Sequence, residues 1–258
     1  MILLLSPAKS LDYTSPLPDV TASRPRFADE ALSTAQAAAK LGPKKLSKLM
    51  SISDKLSGLN AERYAGFADQ EERPALYAFS GDVYVGFEAK SLDEPAIGFA
   101  QDHVRILSGL YGLLRPLDLI RPYRLEMGTR WAPGRKKNLY QLWDSKISDA
   151  IAADLIAEGS DVIINCASKE YWYAVEQSPP KGVRIVTIDF REDGPKGLTF
   201  NSFGAKRARG MMARWMCEHR ITDPEGLKGF DSDGYRFVAD GSDDAIWRFV
   251  RKRVAETA

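Results

Sequence analysis

Ile2-Leu3-Leu4-Leu5 is a continuous apolar run broken by Pro7, the pattern of a strand buried on both faces. A connection carrying Pro16, Pro18 and Pro25 follows. Over residues 27–41, Ala31, Leu32, Ala35, Ala38 and Ala39 recur at helical spacing, and Gly42 stops the helix. Pro43 then opens a basic helical turn with Lys44, Lys45 and Lys48. Residues 76–79 and 83–87 flank Ser80-Gly81-Asp82 and predict paired strands around a tight connection, or a bent loop in place of the second. Residues 93–107 read as a helix, with Pro95 near its start and Gly109 past its end. Leu139, Leu142, Trp143, Ile147, Ala150, Ile151 and Leu155 give one amphipathic helix closed by Gly159. Residues 161–165 and 183–188 read as strands. A last helix over residues 202–219 gathers Ala208, Met211, Met212, Trp215 and Met216 on one face; Lys206, Arg207 and Arg214 lie opposite, around Gly210 and Cys217.

Strands interleaved with helices predict a single α/β domain over residues 1–258. Its mixed central sheet would be surrounded by helices, with a helical lobe near residues 27–67. The 258 residues carry 36 Lys and Arg against 35 Asp and Glu, a net charge of +1. Any polyanion site must therefore come from local clustering. Two cysteines, Cys166 and Cys217, make no disulfide framework. The apolar start is too short for a signal peptide or a membrane span and lacks a basic flank, so a cytoplasmic location is expected, with no membrane partner.

Local clustering exists. Residues 105–137 hold eight bases, including Arg105, Arg115, Arg121 and Arg124, against only Asp118 and Glu126. That asymmetry fits a polyanion-facing region, or else Arg–carboxylate pairs and scattered surface charge. Gly109 and Gly112 would let a phosphate approach the backbone, although Gly-Leu-Tyr-Gly is one residue longer than the Gly-x-Gly of a helix-hairpin-helix turn. Residues 42–67, with Lys44, Lys45, Lys48 and Lys55, are the second place for such an element and also lack its glycine signature. Lys206, Arg207 and Arg214 flank Gly210, whose small size would admit a phosphate backbone. Tyr111, Tyr123 and Trp131 either stack on unpaired bases or belong to the core.

Leu107 to Thr129, the Ser6-Pro7-Ala8-Lys9-Ser10-Leu11-Asp12 segment, Ile52-Ser53-Asp54-Lys55-Leu56 and Lys206-Arg207-Ala208-Arg209-Gly210 together resemble the peroxide-stress resistance YaaA family, over nearly the whole chain. The resemblance implies a cytoplasmic bacterial protein that limits free intracellular iron under hydrogen peroxide. It also implies one α/β domain with a positively charged cleft, a helix-hairpin-helix element, and DNA, double-stranded or distorted, as the partner. On that reading Arg115, Arg121, Arg124, Lys206 and Arg207 meet phosphates, Gly109 and Gly112 allow close approach, and Lys44, Lys45 and Lys48 extend the footprint. A monomer without a cofactor is expected.

An enzyme acting on a phosphorylated or nucleotide-like small molecule is the rival. Its pocket would gather Lys9, Arg124, Lys169 and Lys206, with Lys9, Lys169 and Glu170 as catalytic candidates. Lys9 follows the first strand, where α/β ligand sites form. Lys169 and Glu170 open a helix behind Ser168, a candidate N-cap. Ser6-Pro7-Ala8-Lys9 matches Ser-x-x-Lys, but Pro7 opposes a shared helical face and the companion motifs are missing. No metal site is expected: His103 and His219 are the only histidines, and Asp231-Ser232-Asp233-Gly234 lacks the later ligands of a calcium loop.

Overall fold

The apolar run Ile2–Leu5 is the buried centre of the molecule; all four residues are fully enclosed. A strand apolar on both faces needs parallel neighbours on each side, and it has them in Val104–Ser108 and Val162–Asn165. The computed structural model describes residues 1–195 and 197–253. In it, the sheet has eight strands and continues from Val162–Asn165 through Arg184–Gly194 to Ile246–Lys252, all parallel. Antiparallel strands close both edges, Gly112–Leu114 beside Val104–Ser108 and Arg236–Val238 beside Ile246–Lys252. Gly197–Thr199 folds back on Arg184–Gly194. The architecture is therefore one mixed α/β domain, as the interleaved pattern predicts.

Several elements fall where the periodicity puts them. The helices Ala28–Ala39, Gly42–Met50 and Asp54–Ala65 form the expected lobe. The strand after residue 183 is longer than its apolar run suggests, because its alternating buried and half-exposed residues continue to Gly194. Three readings are corrected. The helix predicted over 93–107 stops at His103, and Val104–Ser108 is a strand with every residue buried. A short apolar run enclosed on all sides looks the same as helix or strand. The strands predicted at 76–79 and 83–87 are the short helices Ala75–Ala78 and Asp82–Phe87. The helix over 139–155 is two, Leu139–Trp143 and Lys146–Ala157, separated where Asp144 takes a positive φ of 46°.

The Ser202–Glu218 helix also differs from a simple amphipathic one. Ala208, Met212 and Met216 are buried as the stripe predicts, but so are Gly210 and Cys217 on the other side. A Cβ on Gly86 would meet the Arg207 carbonyl carbon at 2.9 Å. The side opposite the stripe thus packs on the Asp82–Phe87 helix, and only its start is open. No helix among the described residues is long and apolar enough to cross a membrane.

Candidate functional site

The chain runs from Ile2–Leu5 to a strand on one side of it and later to Val162–Asn165 on the other. Such a reversal leaves a crevice outside the carboxyl ends of the strands. The two loops that leave there are tied together. Ser6 Oγ accepts the Ser168 amide at 2.8 Å and lies 3.3 Å from Ser168 Oγ, while the Tyr84 hydroxyl donates to the Ser6 carbonyl at 3.1 Å. Asn165 Oδ1 accepts the Ala167 amide at 3.0 Å, and the Cys166 amide donates to the Leu4 carbonyl. Ser168 does occupy the N-cap position of Lys169–Glu176, but its own hydroxyl makes no capping bond.

Beside this seam lies a cleft of about 310 Å³ lined by Lys9, Met50, Ser51, Glu126, Gly128 and Glu170, among others. Arg124 donates through Nε at 3.0 Å and through its terminal nitrogen at 2.9 Å to one oxygen, Glu126 Oε1, which Lys9 Nζ also approaches at 3.5 Å. The other oxygen, Glu126 Oε2, is buried with no hydrogen-bond partner among the described residues. Glu170 accepts the Gly128 amide at 2.9 Å. Met50 ends the Gly42–Met50 helix and Ser51 begins the connection to Asp54–Ala65, where Ser51 is left-handed (φ 51°, ψ 52°) and Ser53 caps the second helix by accepting the Leu56 amide.

The segment from Ser6 to Asp12 separates this cleft from a second one of about 350 Å³, lined by Asp12, Ser80, Tyr84, Lys90 and Arg207 with several apolar neighbours. Hydrogen bonds from Ser15, then from the Thr14 amide, hold the Asp12 carboxyl well below the usual carboxylate range. The two clefts bring together the 6–12 segment, the 50–51 turn and residues 126–128, which are distant in sequence.

The sequence-predicted residues divide into two groups. Lys44, Lys45, Lys48, Lys169, Lys206 and Arg207 are exposed, and none has a carboxylate partner within 4.0 Å among the described residues. The three candidate arginines of the basic run are engaged instead: Arg115 with Asp118, Arg121 with Glu72 at 2.9 Å and over the Phe67 ring, Arg124 with Glu126. Gly109 and Gly112 are buried, and the close approach they allow is to protein. A Cβ at Gly109 would meet the Leu125 carbonyl carbon at 3.1 Å, and one at Gly112, whose φ is +66°, would strike the Trp143 ring. Gly210 likewise admits a helix rather than a phosphate. Tyr111 and Tyr123 are core residues, edge to face at 5.5 Å, and burial raises both phenol pKa values.

Three further residues stand out only in the fold. Phe200 and Phe203 are 54% and 70% exposed, with Arg191 and Lys206 over their rings at 5.6 and 5.7 Å. Their signal in the sequence is two aromatics flanking a helix start. Arg209 has a buried Nε without a partner among the described residues, and burial lowers its pKa. It lies four residues after buried Ala205 and three before buried Met212, so helical spacing points it inward. The thiols of Cys166 and Cys217 are both buried; burial pushes Cys166 up to about 12 and Cys217 higher still. Among the described residues no three His, Cys, Asp or Glu side chains are grouped to hold a metal ion.

The family described as Peroxide stress protein YaaA matches residues 1–241. A UPF0246 protein of Rhizorhabdus wittichii is 83% identical over 253 residues, covering 98% of this chain and 100% of the relative. A UPF0246 protein of Paraburkholderia phytofirmans is 48% identical over 264 residues, covering 99% and 100% of the two chains. One of Aliivibrio fischeri is 46% identical over 244 residues, covering 92% and 93%.

Proposed function

Because the chain belongs to the peroxide stress protein YaaA family, we propose that it acts in the cytoplasm to limit free iron under peroxide stress and that its molecular activity is binding DNA through phosphate contacts. One observation carries the DNA reading: the Gly42–Met50 helix has Lys44, Lys45 and Lys48 as its only charged residues, all exposed and unpaired among the described residues. Charged surfaces normally mix signs, and one that does not is suited to a polyanion. The Ser51-Ile52-Ser53 connection serves as the hairpin of a helix-hairpin-helix element, with left-handed Ser51 standing where such hairpins carry glycine. Lys206 and Arg207, across the 6–12 segment, extend the footprint. The engaged Arg121 and Arg124 contribute field more than direct phosphate bonds.

Fluorescence anisotropy with unrelated duplexes across a salt series tests this reading. Replacing Lys44, Lys45 and Lys48 by Ala should weaken binding alike for every sequence and flatten the slope of log K against log salt by about 0.9 for each phosphate left without its lysine. Unchanged affinity and slope in the folded variant would refute it.

The enzyme reading has its own support in the unpartnered Glu126 Oε2 beside Lys9 and Arg124 at the carboxyl ends of the strands. A phosphorylated or nucleotide-like substrate would take Lys9, Arg124 and Lys169 as counter-charges, with Lys206 beyond the 6–12 segment, and Glu126 would accept its proton or a hydrogen bond from its hydroxyl. A mononucleotide that displaces DNA at stoichiometric concentration would favour this second activity.

A further inference from the structure

Four guanidinium groups that are scattered in sequence line a cleft of about 280 Å³: those of Arg24, Arg26, Arg105 and Arg115. Arg24 and Arg26 come from the Pro-rich connection, Arg105 from the strand Val104–Ser108 and Arg115 from the turn after Gly112–Leu114. Only two carboxylates, Asp118 and Asp154, share the lining. Both are already in use. Asp154 takes Arg26 on one oxygen and Arg105 Nε on the other, the latter at 2.7 Å. Asp118 accepts the Ser23 hydroxyl at 2.6 Å, the Arg115 amide at 2.8 Å and the Arg115 guanidinium at 3.3 Å.

Three of the four groups, those of Arg26, Arg105 and Arg115, are held by hydrogen bonds. Arg105, with a side chain only 6% exposed, donates further to the Gln101 and Val104 carbonyls at 3.0 and 2.8 Å, and Arg26 donates to the Ala150 carbonyl at 3.0 Å. Arg24 is exposed and has no carboxylate partner among the described residues. Four positive groups against two negative ones leave two charges unanswered at a concave site. Guanidinium forks match the oxygens of tetrahedral oxyanions, and the three held arginines lose little freedom when they bind one, while Arg24 is left to close on it. The only apolar lining is Leu113 and Leu114, with no aromatic ring for a base to stack on.

We propose that this cleft binds a pyrophosphate group, on free pyrophosphate or on a small nucleoside diphosphate. The anionic oxygens of its two linked tetrahedral groups offer acceptors to more than one guanidinium fork, and the cleft is too small to admit a duplex. The site goes beyond the DNA reading and uses none of its lysines.

Isothermal titration calorimetry of the full chain with sodium pyrophosphate at constant ionic strength tests the proposal. One saturable site is expected, tighter for pyrophosphate than for orthophosphate. Arg24→Ala should weaken it about tenfold, the loss expected for one charge-assisted contact, and Arg24→Lys should restore part of that loss. The variant lacking Lys44, Lys45 and Lys48 should bind pyrophosphate like the parent. Absence of saturable binding overturns the site, as does an Arg24→Ala protein, shown to be folded by its thermal unfolding, that binds unchanged. Competition by ADP would place the group on a nucleotide, and its failure would place it on free pyrophosphate; both outcomes uphold the cleft.

Discussion

Gly210 sits directly on the backbone of Val83: a Cβ there would overlap the Val83 carbonyl oxygen and come within 2.7 Å of the Phe87 amide nitrogen. The Ser202–Glu218 and Asp82–Phe87 helices touch backbone to backbone at this point, with Gly86 making the reciprocal approach to Arg207. Tyr84 of the shorter helix in turn donates to the Ser6 carbonyl just after the first strand.

Gly210→Ala should therefore destabilise the fold. Alanine in a helix interior gains about 1 kcal/mol over glycine, but overpacking against rigid backbone costs about 3 kcal/mol or more, so a net loss of roughly 2 kcal/mol is expected. Gly98, in the Glu94–His103 helix, is the control, because a Cβ there meets nothing within 4 Å. Gly98→Ala should stabilise by about 0.5–1 kcal/mol. Chemical denaturation of both variants checks the signs, and a stabilised Gly210→Ala would mean that the two helices do not cross at this glycine.

The Ser6 hydroxyl joins the loops of two neighbouring strands through the Ser168 amide. Removing it leaves that amide at a helix start without its acceptor, at a cost of about 1–2 kcal/mol. Ser6→Ala should lower stability by that amount, and amide exchange at Ser168 should quicken. An exchange rate unchanged from the parent would argue that the bond does not hold the seam.

Exposed Phe200 and Phe203, each under a cation, suit unpaired bases better than the edges of a duplex. Base–aromatic stacking contributes about 1–3 kcal/mol per base. Phe200→Ala with Phe203→Ala should thus lower affinity for single-stranded or bulged DNA by roughly tenfold or more, with duplex affinity nearly kept. Equal losses on duplex and single strand, read by anisotropy, would remove the stacking role.

The sequence is most informative where one periodicity admits one structure. Ile2–Leu5 and the helices of residues 28–65 follow from apolar runs and spacing bounded by Pro and Gly. Val104–Ser108 is illegible because a wholly buried pentapeptide carries no period, and its strand identity comes from Ile2–Leu5 needing a partner. The charged residues show the same limit in another form. Arg121 and Lys44 look alike in sequence, and only the fold gives the first Glu72 and leaves the second exposed. Arg24 and Arg115 are ninety-one residues apart by their numbers, and nothing local announces that they share a cleft.

Cys166 and Cys217 bear directly on how a peroxide-stress protein meets peroxide. The thiolate is the form that hydrogen peroxide oxidises, and burial, slightly opposed by Arg209, raises Cys166 to about 12 from an ordinary 9.0. Both thiols are therefore protonated at neutral pH in the fold. Native protein exposed to hydrogen peroxide at pH 7 should show no mass gain at either cysteine, whereas denatured chain should gain sulfenic or higher oxidation products. The same shift sets a pH dependence. Between 9.0 and about 12 the unfolded chain has lost the Cys166 proton and the folded chain has kept it. The unfolded state binds fewer protons there, so stability falls as pH rises, with a limiting slope of about 1.4 kcal/mol per pH unit for one group. Cys166→Ala should make the alkaline limb of a stability–pH curve shallower and leave the region below pH 8 parallel to the parent. Rapid oxidation of native Cys166, or an alkaline limb as steep in the variant as in the parent, would contradict the buried thiol.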